Sequence, residues 1–399
     1  MNWNRILPVC VFIGALTLFA NTAVAQYAQT NLVADRTGLG APNVDPALIN
    51  PWGLTLCQLK NHEGPAAISD SRERADDDSL FCVADAFAGV ATVYTRSGNK
   101  IPVTINIPPA SVPLAPVGLP TGIVFNTTRD FVISENGKSG PAVLLFASLD
   151  GTISGWNPDV DATNALIMVD NSTKTPFPAS YAGLTMGRDS HGRNVIYAAD
   201  SGFSPTFSNN EIDMFDGHFQ SLGHFTDLNG TSGMTVYNVQ NVNSKLFVTF
   251  AGFTSLAGGV VDVFDRDGNL LTPAHFAVSA PGGPLEAPWP IALAPDDFGQ
   301  FSNAILIGNE DDGHINAYDR ETREFLGQLT DPQGNLIIDS GLWGMVLGRG
   351  GQEDGRSNKL FIAAGLNNYA DGVFAVISPL NDEDRGNGDA VKKADPASH

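Results

Sequence analysis

The sequence predicts an all-β protein folded as a six-bladed β-propeller, and three observations support this prediction. Six copies of one short pattern, in which a bulky apolar residue follows a turn residue by five positions, are spaced 62, 59, 49, 54 and 59 residues apart. A nearly continuous apolar run precedes each copy, as expected for strands buried on both faces. No segment shows a sustained 3.6-residue apolar period, so helix should be scarce. A strand-built repeat of this length is typical of propeller blades.

Each copy of the pattern predicts the third strand of one blade. The copies begin at Gly89, Gly151, Asn210, Gly259, Gly313 and Gly372 and end at Tyr94, Trp156, Phe215, Phe264, Tyr318 and Ile377. The apolar runs before them predict the second strands at residues 80–85, 143–147, 195–200, 246–250, 304–309 and 360–364. The inner strands are predicted to begin at motifs related to Pro51-Trp52-Gly53, which recur near Trp289 and Trp343.

The two ends of the chain predict how the ring closes. The sixth blade ends near Leu380 one strand short, whereas the segment from Thr30 to Ala34 is an unassigned strand near the N-terminus. Because an open propeller would expose unpaired strand edges, we predict that this N-terminal strand pairs into the last blade. The propeller then spans residues 26–380. Residues 381–399 are predicted to be a disordered polar tail, because they are polar and charged and cannot bury enough apolar surface to fold.

Residues 1–25 have the features of a signal peptide. Arg5 precedes an apolar run, and Ala23-Val24-Ala25 matches the small-residue cleavage rule. We therefore expect a bacterial protein exported to the periplasm or the medium, with no membrane insertion after cleavage, since no other stretch is long and apolar enough to span a bilayer. Cys57 and Cys82 remain in the mature chain and are predicted to form a disulfide under oxidising conditions. Two buried free thiols are the alternative.

The charge balance excludes some partners. The chain carries a net charge of −21 with only 22 Lys and Arg, which argues against nucleic acid and against an anionic membrane surface. Such acidity fits solubility, a cationic partner or bound cations. We expect a monomer whose partner is a protein or a small-molecule or glycan ligand.

A set of polar residues predicts the position of a site. It lies mainly at the ends of second strands and in the adjoining loops, where propeller blades surround one mouth of the central channel: Asp85, Glu135, Asn136, Asp150, Asp200, Asn309, Glu310, Asp311 and Asn367. From this set we selected candidate ligands for Ca²⁺, a cation that prefers oxygen, namely Glu135, Asp200, Asn309 and Asp311. The alternative is turn chemistry, because Asp, Asn and Gly tolerate positive φ. The tryptophans could line a sugar-binding face or pack between blades.

The motifs together resemble those of a little-characterised family of exported bacterial six-bladed propellers. The resemblance lies in Asn50-Pro51-Trp52-Gly53-Leu54, residues 120–126, residues 150–157 and Gly341-Leu342-Trp343-Gly344, and it covers the predicted mature chain. It implies an architecture like that of NHL-repeat and gluconolactonase-like propellers, without an established activity. Many members carry a C-terminal sorting tail with a Pro-Glu-Pro motif, which this sequence lacks.

Two functions follow from these observations. Specific catalytic motifs such as Gly-x-Ser-x-Gly or His-Glu-x-x-His are absent from the sequence, which favours a non-catalytic exported propeller that binds its partner through loop-rich faces. The alternative is a calcium-dependent hydrolase or lyase of lactonase type at the channel mouth, in which the metal polarises a carbonyl or activates water.

Overall fold

The computed structural model describes residues 27–59, 80–202, 209–227, 229, 233–252, 258–348 and 358–380. Six sheets of four or five strands surround a central axis as the blades of a propeller. The predicted all-β, six-bladed fold is therefore confirmed. The predicted signal peptide at residues 1–25 and the predicted tail at residues 381–399 lie outside the described residues.

The strand bounds follow the repeat that the sequence predicts. In chain order they are β1 (Tyr27–Ala34), β2 (Asn43–Val44), β3 (Pro51–Cys57), β4 (Leu80–Asp85), β5 (Val90–Tyr94), β6 (Lys100–Asn106), β7 (Pro120–Phe125), β8 (Val132–Glu135), β9 (Lys138–Pro141), β10 (Leu144–Ser148), β11 (Thr152–Trp156), β12 (Leu166–Asp170), β13 (Tyr181–Arg188), β14 (Asn194–Asp200), β15 (Glu211–Asp216), β16 (Ser221–Phe225), β17 (Met234–Val242), β18 (Lys245–Gly252), β19 (Gly259–Phe264), β20 (Ala277–Ser279), β21 (Pro288–Leu293), β22 (Ile305–Asn309), β23 (Ile315–Tyr318), β24 (Phe325–Gln328), β25 (Leu342–Leu347), β26 (Leu360–Ala364) and β27 (Val373–Pro379).

Five blades each consist of four strands, and the sixth is built from both ends of the described chain. Blades 1 to 5 begin with the inner strands β3, β7, β13, β17 and β21, and the sixth sheet has the order β2-β1-β27-β26-β25. Strand β1 runs antiparallel to β27, with Tyr27 opposite Pro379 and Ala34 opposite Val373. The predicted closure of the ring by the N-terminal strand is confirmed, and β27 has no unpaired edge because it pairs with β1 on one side and with β26 on the other.

Helix is scarce in the described residues, as predicted. The short helical elements are a 3-10 turn at Gly299–Phe301 and α1 (Leu366–Tyr369). None of the described helices is long and apolar enough to cross a membrane. The hydrophobic core is therefore formed by strand residues that pack between neighbouring blades.

The inner strands approach one another closely, and small residues permit this. A Cβ atom on Gly53 would lie 2.3 Å from the carbonyl oxygen of Thr121 in blade 2, and one on Gly122 would lie 2.3 Å from the amide nitrogen of Leu184 in blade 3. Real Cβ atoms do not approach backbone atoms so closely, so glycine is required at both positions.

The two cysteines of the described chain form a disulfide. Cys57 ends β3 and Cys82 lies within the neighbouring strand β4, with a Cα–Cα distance of 6.0 Å. Both residues are buried in the core between blades 1 and 2. The predicted disulfide is confirmed, and the alternative of two free thiols is wrong.

Candidate functional site

The register of the blades defines one mouth of the central channel. The first residue of an inner strand lies opposite the last residue of the second strand, as in the pairs Pro51 with Asp85 and Pro288 with Asn309. The residue that follows the second strand then donates its backbone N–H to a carbonyl just before the inner strand. This contact recurs at Ala86, Leu149, Ser201, Glu310 and Gly365. These equivalent positions surround the end of the channel that we call the mouth.

Aromatic rings from four blades meet across the axis at this mouth. The ring centroids of Trp52 and Trp343 lie 4.1 Å apart in an edge-to-face arrangement, and the centroids of Trp52 and Trp289 lie 6.5 Å apart. Tyr237 and Tyr369 lie 5.9 Å and 5.8 Å from Trp343. We call these five residues the aromatic plug. The tryptophans are buried, whereas both tyrosines are half-buried and form its outer part.

A carboxyl group lies against the plug. Glu310 follows β22 and is only 4% exposed. The hydroxyl of Tyr237 donates to its Oε2 at 3.3 Å, and the hydroxyl of Tyr369 donates to its Oε1. Burial and, to a smaller extent, the neighbouring Asp311 raise the pKa of Glu310, the two tyrosine hydrogen bonds lower it, and the pKa that results is about 7. Among the equivalent positions at the mouth, Glu310 supplies the acidic side chain.

The backbone that carries Tyr369 is strained. Asn367, Asn368 and Tyr369 have φ values of 53°, 54° and 65°. Asn adopts this left-handed region at little cost, but a bulky residue such as Tyr does so rarely, at a cost of about 1–3 kcal/mol. Three such residues in succession place the Tyr369 hydroxyl on Glu310. Strain that persists at a defined contact is typical of functional sites.

The plug also contains hydrogen-bond donors without an acceptor. Trp343 donates its indole N–H to Asn50 Oδ1 at 3.0 Å. Within the described part of the chain, the indole N–H groups of Trp52 and Trp289 have no acceptor although both side chains are buried. Buried donors normally have an acceptor, so these two indole N–H groups are available to donate a hydrogen bond to water or to a ligand at the mouth.

The predicted metal ligand Asp200 is engaged by the protein itself. Lys174 Nζ lies 3.1 Å from Asp200 Oδ2 and 2.7 Å from both Glu211 and Asp213. The other oxygen of Asp200 accepts the backbone N–H of Ser180 at 2.9 Å. Burial raises the pKa of Asp200, although these contacts oppose the rise. Lys174 thus supplies a positive charge to Asp200 in this structure.

The other predicted metal ligands lie on different parts of the propeller. Asn309 ends β22 and donates its amide to Pro284 O and Asp312 Oδ1, both at 2.9 Å. Asp311 is exposed beside Glu310. Glu135 lies in the β8–β9 hairpin, which connects the first and second strands of blade 2. That connection leaves the far end of the inner strand, so Glu135 is on the face opposite the mouth.

Two other clusters have metal-ligating side chains within 4.8 Å of one another in the described chain. One consists of Asp189, His191 and Asp267, and the other of Glu211, Asp213 and His224. Neither includes Glu135, Asp200 or Asp311. The calcium site stays a prediction, and the structure does not bring its four residues into one cluster.

Sequence reasoning missed the two tyrosines. Glu310 was in the wider polar set but outside the four selected residues, Tyr237 fell only in the start of the fourth inner strand, and Tyr369 belonged to no motif. The repeated tryptophans were a usable signal, because Trp52, Trp289 and Trp343 occupy the same position of their inner strands and all lie in the plug. Trp156, on a third strand, instead packs in the core between blades 1 and 2.

Comparisons with known proteins name no function for this chain. No family model matches the chain. One uncharacterised protein of Acanthamoeba polyphaga mimivirus is 25% identical over 370 residues, covering 89% of this chain and 81% of the relative. A second is 29% identical over 339 residues, covering 81% of this chain and 79% of the relative. These relatives are viral, and they give no support to membership of a bacterial exported family.

Solved structures with a similar arrangement include enzymes. Virginiamycin B lyase from Staphylococcus aureus has a TM-score of 0.47 at 11% identity, covering 89% of this chain and 99% of that one. An α-L-arabinofuranosidase from Fusarium graminearum has a TM-score of 0.47 at 8% identity, covering 88% and 97%. With TM-scores below 0.5 and identities of 11% and 8%, this likeness supports no statement about the function of the chain.

Proposed function

We propose that this protein is an exported, non-catalytic β-propeller that binds a small molecule at the aromatic plug. The observation that carries the proposal is the buried Glu310 carboxyl, held by Tyr237 and by Tyr369 on strained backbone. A packing plug needs neither a buried carboxyl nor strain, and both oppose folding. A role in ligand recognition would account for both, because ligand sites combine apolar and aromatic side chains with a few polar groups.

Export is proposed from the disulfide and from the N-terminal sequence. Disulfides persist in oxidising compartments and are rare in the cytosol, and Cys57–Cys82 is buried in the first blade. Expression of the full chain in a bacterial host, with and without residues 1–25, tests this point. Recovery of the full chain from the cytosol with its N-terminus intact would contradict export.

The binding proposal is tested by screening with tryptophan fluorescence. Trp52, Trp289 and Trp343 lie in the plug, so a bound ligand should change their emission and raise the melting temperature. A panel of sugars, lactones, amino acids and amines should contain at least one compound that does both. Tyr369→Phe should weaken that binding, whereas Tyr318→Phe, whose ring packs between blades 4 and 5, should leave it unchanged. If no compound acts, or if both variants behave alike, the plug is a packing element.

A second candidate is a hydrolase or lyase at the same mouth, as the sequence analysis allowed. The pKa of Glu310, about 7, suits a general acid or base at neutral pH. Calcium analysis of the purified protein and of Asp200→Ala and Asp311→Ala tests the metal-dependent form. A stoichiometric calcium ion lost in these variants, with lactone hydrolysis lost in Glu310→Gln, would favour the enzyme over the binding protein.

A further inference from the structure

Three buried carboxylates elsewhere in this propeller have lysine or arginine partners from the chain itself. Asp200 pairs with Lys174 at 3.1 Å, and Asp45 pairs with Lys100 at 2.7 Å. The mostly buried Asp371 pairs with the guanidinium of Arg36. Such pairing offsets the cost of removing a carboxylate from water. The protein thus supplies the counter-charge at these three positions, whereas the buried Asp85, Asp150, Glu286 and Asp339 form no ion pair in the described ranges and accept hydrogen bonds instead.

Glu310 is a buried acid without a cationic partner in the described ranges, and it lies against the aromatic plug. Its contacts are two tyrosine hydroxyls, and the nearest charge that acts on it is the like charge of Asp311. No Lys, Arg or His in the described ranges forms an ion pair with it. In blade 3 the last residue of the second strand, Asp200, is equivalent to Asn309 and pairs with Lys174, whereas Glu310 lies one residue beyond the second strand of blade 5. The mouth of blade 5 has the negative group without its positive partner.

The surroundings of Glu310 indicate what the missing partner is. The plug brings five aromatic rings together beside the carboxyl, and the face of an aromatic ring carries negative electrostatic potential that attracts cations. Two of these rings, Tyr237 and Tyr369, are half-buried and carry the hydroxyls bound to Glu310. The site thus combines a carboxylate, ring faces and the adjacent exposed Asp311.

We propose that the ligand of the mouth is an organic cation, an alkylammonium or quaternary ammonium group that lies against Glu310 and the rings of Tyr237 and Tyr369. This inference rests on the proposed function and specifies its ligand class. A metal ion fits these surroundings less well, because hard cations need several oxygen ligands and both oxygens of Glu310 already accept tyrosine hydroxyls. The carbon groups of an alkylammonium, in contrast, suit the apolar rings, and its charge matches the carboxylate.

The decisive comparison uses choline and its neutral isostere 3,3-dimethylbutan-1-ol, which differ in charge and little in shape. Titrations followed by tryptophan fluorescence and calorimetry should show choline binding roughly tenfold or more tightly than the isostere. Glu310→Gln should remove this preference. The matched control is Glu321→Gln on the same blade, where Glu321 is 80% exposed in a turn between strands, and it should leave the preference intact.

The pH dependence gives an independent readout of the same group. A cation binds the ionised carboxylate, so its affinity should fall by about tenfold per pH unit below the pKa of Glu310 and level off above it. In Glu310→Gln this dependence should disappear. A structural role for Glu310 would change stability without giving choline affinity this pH profile.

The outcomes separate the inference from the proposed function. If a neutral compound of the wider panel binds and is weakened by Tyr369→Phe, while choline, tetramethylammonium and butylammonium do not bind, the cation inference is wrong and the binding function stands. Equal binding of choline and its isostere also overturns the inference. If no compound of either kind binds, both proposals fail.

Discussion

The substitution Glu310→Gln should stabilise this protein at neutral pH while removing recognition of a cation. Burial raises the pKa of Glu310 from an ordinary 4.5 to about 7. Because a tenfold change in proton affinity corresponds to about 1.4 kcal/mol, ionised Glu310 destabilises the folded state by on the order of 3 kcal/mol. Gln is neutral and similar in shape, and a tyrosine hydroxyl can accept from its amide as well as donate to its oxygen.

The sign of the effect follows from proton linkage. The folded protein holds the Glu310 proton more strongly than the unfolded chain, so the stability that this group contributes is fully present below pH 4.5 and is lost as pH rises through about 7. Wild type and Glu310→Gln should therefore have similar free energies of unfolding near pH 4.5, whereas the variant should be more stable above pH 7.

Urea unfolding followed by far-UV circular dichroism measures the difference in unfolding free energy between wild type and Glu310→Gln without adding salt. The comparison between wild type and variant at each pH isolates Glu310 from other buried acids such as Asp339, whose pKa burial raises to about 6. Glu321→Gln is again the control, and it should match wild type at every pH. A variant less stable than wild type at about pH 8, or an offset that does not change with pH, would refute the reasoning.

Three further substitutions test the scaffold. The double variant Cys57→Ala/Cys82→Ala should lose about 3.5 kcal/mol of unfolding free energy, from loop closure over a sequence separation of 25. Equal unfolding free energies of the wild type and the double variant in urea would contradict this prediction. Lys174→Met should lower the unfolding free energy by about 3 kcal/mol at pH 7, because three carboxylates lose their shared cation. This loss should become smaller at acidic pH, where the carboxylates are protonated. A loss that does not change with pH would show that Lys174 acts through packing. Tyr27→Phe should cost about 1 kcal/mol, since the Tyr27 hydroxyl donates to Phe298 O at 2.9 Å beside the closing strand. An unchanged melting temperature would show that this contact adds nothing to ring closure.

The fold could be predicted from the sequence because its signals are local and repeated. A turn residue, an apolar strand and a bulky residue recur in six copies, and each copy is a third strand in the structure. Ring closure could be predicted as well, because a missing strand at one end matched a spare strand at the other. Both arguments use spacing along the chain, which the sequence displays directly.

The candidate site could be predicted only in part, because its contacts are distant in sequence. Tyr237 and Tyr369 meet Glu310 across 73 and 59 residues. Positive φ at Tyr369 contradicts the ordinary preference of that residue, so no local rule predicts the turn that carries its hydroxyl. Glu135 was grouped with the residues of the mouth, but it precedes the second strand of blade 2 and lies in the β8–β9 hairpin at the other end of that blade. The strand order alone places it there, since every connection from a first to a second strand lies opposite the mouth.

The way the blades differ at the mouth explains how one scaffold can carry a specific site. At Ala86, Leu149, Ser201, Glu310 and Gly365 the backbone makes the same hydrogen bond to the start of its inner strand. Because this contact uses only main-chain atoms, the blades keep it although the side chain at this position differs from one blade to the next. In blade 5 the variation supplies a carboxyl, and blades 4 and 6 supply the two tyrosines that hold it. The recognition chemistry is thus assembled from separate blades around the axis. Moving the carboxyl to blade 2 by the double substitution Glu310→Ala and Leu149→Glu should preserve the fold, since the main-chain contacts remain and Leu149 is only half-buried, and abolish choline binding, since the tyrosines stay behind.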